Sequence, residues 1–444
     1  MLAVLAVALG LYVYLVEIRG PVDPERAEEA SKRVIDVEAE AVRELELPLT
    51  EGGRARLVRD GAWRLASPVE FPADERAVTR ALEALEQLES DLVIDAPPGD
   101  LEAFGLSQET RRTVLARTDD ATLRVFLGAA APVGSARYFA LGSDASRIYT
   151  AQRAALDPLS TSLFGLRDKR LVDLEVTDVT ELQVRVQGSL IVTAVRGEDD
   201  WRLVAPEEEP GDAKKIERLL EDLVLARAAE FIDDPRDLAV YGLDDPELQL
   251  SLIRAGGETS SLELGRAEGT GYVRADGATV LYAVPERLLN GIPRAFFDYR
   301  HKRVFELEQA DAKRIELRFP RSDAVQVFFR EDSEWISEDE SVELRPFVIE
   351  DLLFAIRAVD ATGLEPAGAL PVALGLDPPT LRVTAYGEAD AELGWLELGD
   401  ASEGDVSARS SMSERLWRVA GTLAEDVPLG LEAFQNRFVA GADD

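Results

Sequence analysis

The sequence contains no cysteine, a single histidine (His301) and two methionines in 444 residues. The lack of thiols excludes disulfides, thiolate nucleophiles and zinc–thiolate sites. One histidine leaves little material for a metal cluster. Lysine is scarce as well: six of the 49 basic residues are Lys and the rest are Arg, a compositional bias of the surface. No G-x-S-x-G is present, and no lysine follows a serine at the S-x-x-K spacing, so two common nucleophile signatures are missing. Glycine and proline are not enriched, and 46% of the residues are apolar, so a packed fold is expected. The length suits two to four domains.

What is abundant is acid. There are 85 acidic residues and the net charge is −36. Such a surface repels nucleic acid, which is therefore not an expected partner. Pairs of adjacent aspartates (Asp119-Asp120, Asp199-Asp200, Asp233-Asp234, Asp244-Asp245) lack the spacing of an EF-hand and read as solvated turn residues. The triplet Gly265, Gly269 and Gly271 matches neither a dinucleotide fingerprint nor a P-loop and reads as a hairpin turn. No cofactor, metal ligand set or catalytic group is assigned.

The one long apolar run is MLAVLAVALGLYVYLV at residues 1–16. As a helix it spans about 24 Å against the ~30 Å of a bilayer core, and Ile18 with a snorkelling Arg19 extends it. Without a cleavage-site pattern it reads as an uncleaved transmembrane anchor over 1–18, followed by a polar juxtamembrane linker over 19–33.

The rest is an internal repeat. KRVIDVEAEAVRELEL at 32–47, KRLVDLEVTDVTELQV at 169–184 and KRVFELEQADAKRIEL at 302–317 align without gaps, at offsets of 137 and 133. Trp63, Trp201 and Trp335 keep nearly the same offsets. So do the Gly-Leu pairs at Gly105, Gly242 and Gly375, the strand-ending Gly128, Gly265 and Gly399, and the aromatics Tyr149, Tyr282 and Trp417. The copies fall at 34–170, 171–303 and 304–444.

Each copy opens with apolar–polar alternation, as in Leu45 and Leu47 or Leu182 and Val184, which predicts strands. A second strand and then a Trp-bearing strand follow, the latter ended by Pro68 or Pro206. Asp74 and Asp212 are placed to cap a helix whose apolar stripe is Val78, Leu82, Leu85 and Leu88, or Ile216, Leu219, Leu220 and Leu223. The third stripe is Ile349, Leu352, Leu353 and Ile356. The Gly-Leu pairs predict tight turns with positive φ, and the tryptophans predict core rather than ligand platforms. The fold class expected is α+β: three tandem repeats of an antiparallel sheet with helices packed on it, after the N-terminal anchor.

The order V-x-D, W-R-L-x-x-P, A-D-x-x-x-V, [YF]-G-L, L-x-x-G and L-R-D-K-R resembles a bacterial family called domain of unknown function 4340. The resemblance is strongest from Trp63 to Leu106 and from Trp201 to Pro246. The third copy diverges, with Trp335-Ile336-Ser337 and Arg345-Pro346-Phe347 in place of the motif residues. The resemblance implies a membrane-anchored exported protein working beside gliding-motility-type ABC transporter components. It supplies no catalytic residues. The expected function is thus a non-catalytic, extracytoplasmic binding or assembly subunit on the inner membrane with protein partners. The alternatives are a cell-envelope polymer hydrolase using an Asp/Glu pair and a structural spacer.

Overall fold

The structure is a computed structural model and describes residues 33–95, 101–132, 134–198, 200–332, 334–366, 368–402 and 404–441. The expected anchor over 1–18 and nearly all of the linker lie outside the described residues. No helix among the described residues is long and apolar enough to cross a membrane. Strand outweighs helix, 44% against 21%, so the modules are sheets carrying a few helices rather than an even mixture.

The first sheet comprises β1 (Glu44–Pro48), β2 (Arg54–Asp60), β3 (Ala62–Ser67), β4 (Phe71–Pro72), β5 (Leu92–Asp95), β6 (Arg112–Arg117), β7 (Thr122–Ala130), β8 (Ala136–Leu141) and β9 (Asp144–Gln152). Its strand order is β4-β3-β2-β1-β6-β7-β8-β9-β5, with every pair antiparallel. Helix α1 (Glu75–Glu86) carries the chain from one edge, β4, to the opposite edge, β5. The second sheet repeats this with β10 (Val179–Val186), β11 (Ser189–Arg196), β12 (Trp201–Ala205), β13 (Glu209–Pro210), β14 (Glu230–Ile232), β15 (Leu248–Arg254), β16 (Thr259–Ala267), β17 (Thr270–Ala275) and β18 (Leu281–Pro285). Helix α2 (Ala213–Leu225) makes the same edge-to-edge connection, and the strand order is the same copy for copy.

The third sheet has β19 (Arg303–Glu306), β20 (Arg314–Phe319), β21 (Ala324–Glu331), β22 (Glu334–Ser337), β23 (Ala358–Leu364), β24 (Leu381–Tyr386), β25 (Glu392–Ser402), β26 (Asp405–Ser410) and β27 (Ser413–Ala420). Its order, β19-β23-β27-β26-β25-β24-β20-β21-β22, keeps the module plan, with two changes. Among the described residues no strand stands where β4 and β13 lie, and β19 is added beside β23. The order strand, Trp strand, helix survives, through β22 with Trp335 and α3 (Val348–Ile356).

Local chemistry explains the plan. On β1, Leu45 and Leu47 are buried while Glu44 faces outward, where Arg56 and Arg117 hold it. The side-chain period of two thus puts an Arg–Glu lattice on the wet face and leucine on the dry one. Asp74 accepts from Ala77 N at 2.9 Å and Asp212 from Lys215 N at 3.1 Å, closing the first turns of α1 and α2. The helix stripes are buried as the periodicity predicts, each large apolar side chain contributing about 1.5–3 kcal/mol. In α3 the capping position is taken by Phe347, at φ +60°, with no side-chain cap.

The glycine landmarks turn out to be two sides of one contact. Gly105, Gly242 and Gly375 have φ of +65°, +66° and +66°, the left-handed turn that glycine adopts without penalty. Each turn presses its backbone against the strand glycine of its own copy. A Cβ on Gly128 would overlap the Phe104 carbonyl, one on Gly265 the Gly242 carbonyl, and one on Gly399 the Leu374 carbonyl. The hairpin expected at Gly265–Gly271 is present as β16–β17.

Most buried apolar residues of the first two modules form one continuous core, with a small separate cluster at Leu106, Ala140 and Ile148, whereas those of the third module form their own.

Candidate functional site: the grooves between modules

Each module ends by folding its last residues back onto the segment before its own helix. Asp74 N donates to Leu166 O at 2.8 Å and Asp168 N to Pro72 O at 2.9 Å. In the second module Asp212 N donates to Tyr299 O at 2.8 Å and His301 N to Pro210 O at 2.9 Å. Within two residues the chain pairs with the next module: Ala228 N donates to Lys169 O at 2.9 Å, and Ala361 N to Lys302 O at 2.8 Å. The recurrent Lys-Arg pair is therefore the splice between two sheets. It leaves a groove beside it at both junctions.

At the first junction Arg167 is buried, at 3% exposure. Its guanidinium lies 4.4 Å from the Phe71 ring of one module and 4.2 Å from the Phe231 ring of the next. It donates to both oxygens of Asp233, from Nη1 at 3.0 Å and from Nη2 at 2.5 Å. Asp233 is an exposed bend residue, as the sequence suggested, and it is also the counter-ion of a buried arginine. Phe71, Phe164 and Tyr282 all pack on Phe231. The groove at this junction, about 390 Å³, is lined by Asp74, Glu75, Arg76, Asp168, Arg170 and Arg227 among others. Its cations and anions cancel locally; Arg170, for example, pairs with Asp168 and Asp173.

At the second junction the equivalent Arg300 is buried at 5% exposure, but Glu209 stands where Phe71 stood. Arg300 Nη2 donates to Glu209 Oε1 at 2.6 Å and to Glu207 Oε2 at 3.1 Å. Arg415, from β27 of the third module, joins the same two carboxylates. Burial pushes the Glu209 carboxyl above the usual range and Glu207 adds to this, while Arg300 and Arg415 oppose it. The cleft on this side is about 670 Å³ and includes Glu198, Trp201, Arg202, Glu208, Glu209 and His301. Across His301 lies a second groove of about 660 Å³.

The landmarks read from the sequence divide by role. Trp63 and Trp201 are buried in the shared core, Trp335 is half-buried, and Pro68 and Pro206 follow the ends of β3 and β12. Gly105, Gly242 and Gly375 shape turns and line none of these grooves. Asp74 and Asp212 line grooves as helix caps at their rims, and Trp201 lines the 670 Å³ cleft. Sequence reading missed Arg167, Arg300, Glu209 and Arg415. The available signal was the recurrence of an arginine between an apolar residue and the splice, in Leu166-Arg167-Asp168 and Tyr299-Arg300-His301. No group of three or more His, Asp or Glu among the described residues is arranged to hold a metal ion.

Comparison with curated proteins and with solved structures gave no match. A family model does match, over residues 63–237 and again over 201–373. Both segments begin at the Trp of the third strand and run across a splice into the following sheet, so each matched unit contains a splice. Two such overlapping matches span more than half of the chain, and the protein belongs to the family described as Domain of unknown function (DUF4340).

Proposed function

We propose that the protein is a non-catalytic binding or assembly subunit. Residues 1–18 tether it to the inner membrane, the sheets lie outside the cytoplasm, and its partners belong to a gliding-type ABC transporter complex. The observation that carries this reading is the construction of the junctions. The buried Arg167 joins the first two sheets, the buried Glu209 takes Arg300 from its own module and Arg415 from the next, and each splice leaves a groove to which the following module adds a residue, Arg227 at the first and Asp360 at the second. That arrangement suits a surface held in fixed register for a partner. The carboxylates nearest the junctions, Asp168, Asp233 and Glu209, are each held by arginine, an arrangement that suits ion pairs holding the modules in place.

The test is crosslinking of the full chain in membranes followed by affinity purification. Recovery of a transporter permease or its extracytoplasmic auxiliary subunit is expected. Alkaline phosphatase fused after Asp444 should be active; activity of a cytoplasmic reporter there instead would overturn the localisation.

The second reading, an envelope-polymer hydrolase, is favoured by one observation: Glu207 and Glu209 face each other and Glu209 is raised by burial. Turnover of envelope glycan that Glu209→Gln abolishes would establish it and refute the binding reading.

A further inference from the structure

We propose that the groove between the second and third modules binds phosphoryl groups. The inference deepens the binding-subunit reading and rests on it. The groove holds three of the six lysines and the single histidine of a chain with net charge −36. Lys214, Lys215 and Arg218 stand on the first two turns of α2, and Lys302, Arg303 and His301 face them from the splice. Lys214, Lys215 and Arg218 are exposed and make no ion pair among the described residues. Arg303 is committed to Asp360 at 2.9 Å and Lys302 to Asp298 at 3.3 Å. The end of the helix is not what supplies the charge, since Asp212 already accepts from Lys215 N.

The companion groove shows that this charge is not required by the fold. There Asp168 stands for His301, Glu75 for Ala213, Arg76 for Lys214 and Ala77 for Lys215. The same scaffold is thus neutral at one junction and cationic at the other. In an acidic field, such an isolated cationic patch concentrates anions locally.

The type of cation selects the anion. Elsewhere in this protein carboxylates are held mostly by arginine, Glu44 by Arg56, Glu247 by Arg266 and Arg294, Glu397 by Arg382 and Arg409, and by lysine only through single contacts, as Asp74 by Lys169 and Asp298 by Lys302. The free cations here are mainly lysines, compact point charges that suit phosphate oxygens and lack the planar fork that matches carboxylate.

His301 supplies its own reporter, because its imidazole resonances are the only histidine signals of the chain. Full-length protein is titrated with inorganic pyrophosphate and, separately, with phosphatidylglycerol vesicles, which distinguishes free phosphoryl groups from a lipid headgroup. A saturable shift of the His301 signals with either is expected. Lys214→Ala/Lys215→Ala should weaken it at least tenfold, and His301→Asp with Ala213→Glu, which copies the first junction, should abolish pyrophosphate binding measured by calorimetry. Citrate is the carboxylate control and should bind more weakly. No saturable shift with either probe, equal affinity for citrate, or an unchanged affinity of the double lysine variant would each overturn the proposal. Partner recovery in the crosslinking experiment would be untouched by that failure, so the two readings fail separately.

Discussion

The Cα of Gly265 on β16 packs directly beneath the carbonyl of Gly242, which itself sits at φ +66° at the end of a short helical turn. No side chain fits between them. Gly265→Ala is expected to destabilise the protein by about 1–3 kcal/mol through overpacking. Gly242→Ala should cost at least as much, because about 1–2 kcal/mol of left-handed strain adds to a contact 2.7 Å from the Arg266 carbonyl. Gly291→Ala, with open space around it and no positive φ, is the control and should stay within ~0.5 kcal/mol. Chemical denaturation of the three variants measures this; equal effects would refute the contact.

Trp201, at 1% exposure, should be worth about 3–5 kcal/mol when truncated to alanine. Trp335, half-buried on the short β22, should cost clearly less. Thermal unfolding of both variants tests the ranking. A larger loss at Trp335 would show that the third module relies on its tryptophan in a way that its burial does not indicate.

Arg167→Ala removes the centre of the first junction. The cost should fall between the ~1 kcal/mol of an exposed ion pair and the ~3–5 kcal/mol of a buried one, since Arg167 is buried and Asp233 partly open. Arg167→Lys should recover little, because the ammonium cannot span both oxygens of Asp233 while stacking on two rings. Limited proteolysis near residue 170, faster in both variants, is the expected readout.

Acid should loosen the fold through the arginine-held carboxylates. Arg56 holds Glu44 below its ordinary value, and Arg294 and Arg266 outweigh burial to do the same for Glu247. The unfolded chain binds these protons first as pH falls from neutral, but the folded chain must accept them below that. The stabilisation is therefore complete well above 4.5 and is lost as pH drops through the lowered values. Glu209 runs the other way: its raised carboxyl favours the fold at low pH and loses that advantage as pH rises past 4.5. Melting temperature should fall from about pH 6 to about pH 3, and Glu247→Gln should shrink that fall. A variant with the full acid dependence of the parent would refute the assignment.

What the sequence disclosed, and what it hid, follows from range. The strand alternation, the caps Asp74 and Asp212 and the helix stripes are set by neighbours within a turn or two, so periodicity reveals them. Paired landmarks such as Gly242 and Gly265 were visible as recurrences, but nothing local said that they touch. The junction chemistry was hidden more deeply. Asp233 stands in an acidic turn like several others, and only its partner Arg167, 66 residues away, sets it apart. Glu209 reads as one more acid in Glu207-Glu208-Glu209, although its side chain is the buried one. The third module lacks a β4 equivalent beside the divergent Arg345-Pro346-Phe347, yet it keeps the adjoining bridge, Leu344 with Val439, that matches Ala73 with Arg167 and Gly211 with Arg300.

Tandem copies of one fold invite mis-docking, in which the tail of one copy closes onto the wrong neighbour. The unequal junctions act as a pairing code against it. Arg167 finds two aromatic rings and Asp233; Arg300 finds Glu209; and the third copy presents Val439, which carries no charge, at that position. Seating the third tail on the second copy would strip Glu209 of Arg300 and leave a desolvated carboxylate underpaired. Seating the second tail on the first copy would part Arg300 from Glu209 and set it against Phe71. Each exchange takes Arg300 from Glu209, so the few positions where these similar copies differ favour one order of docking over the others.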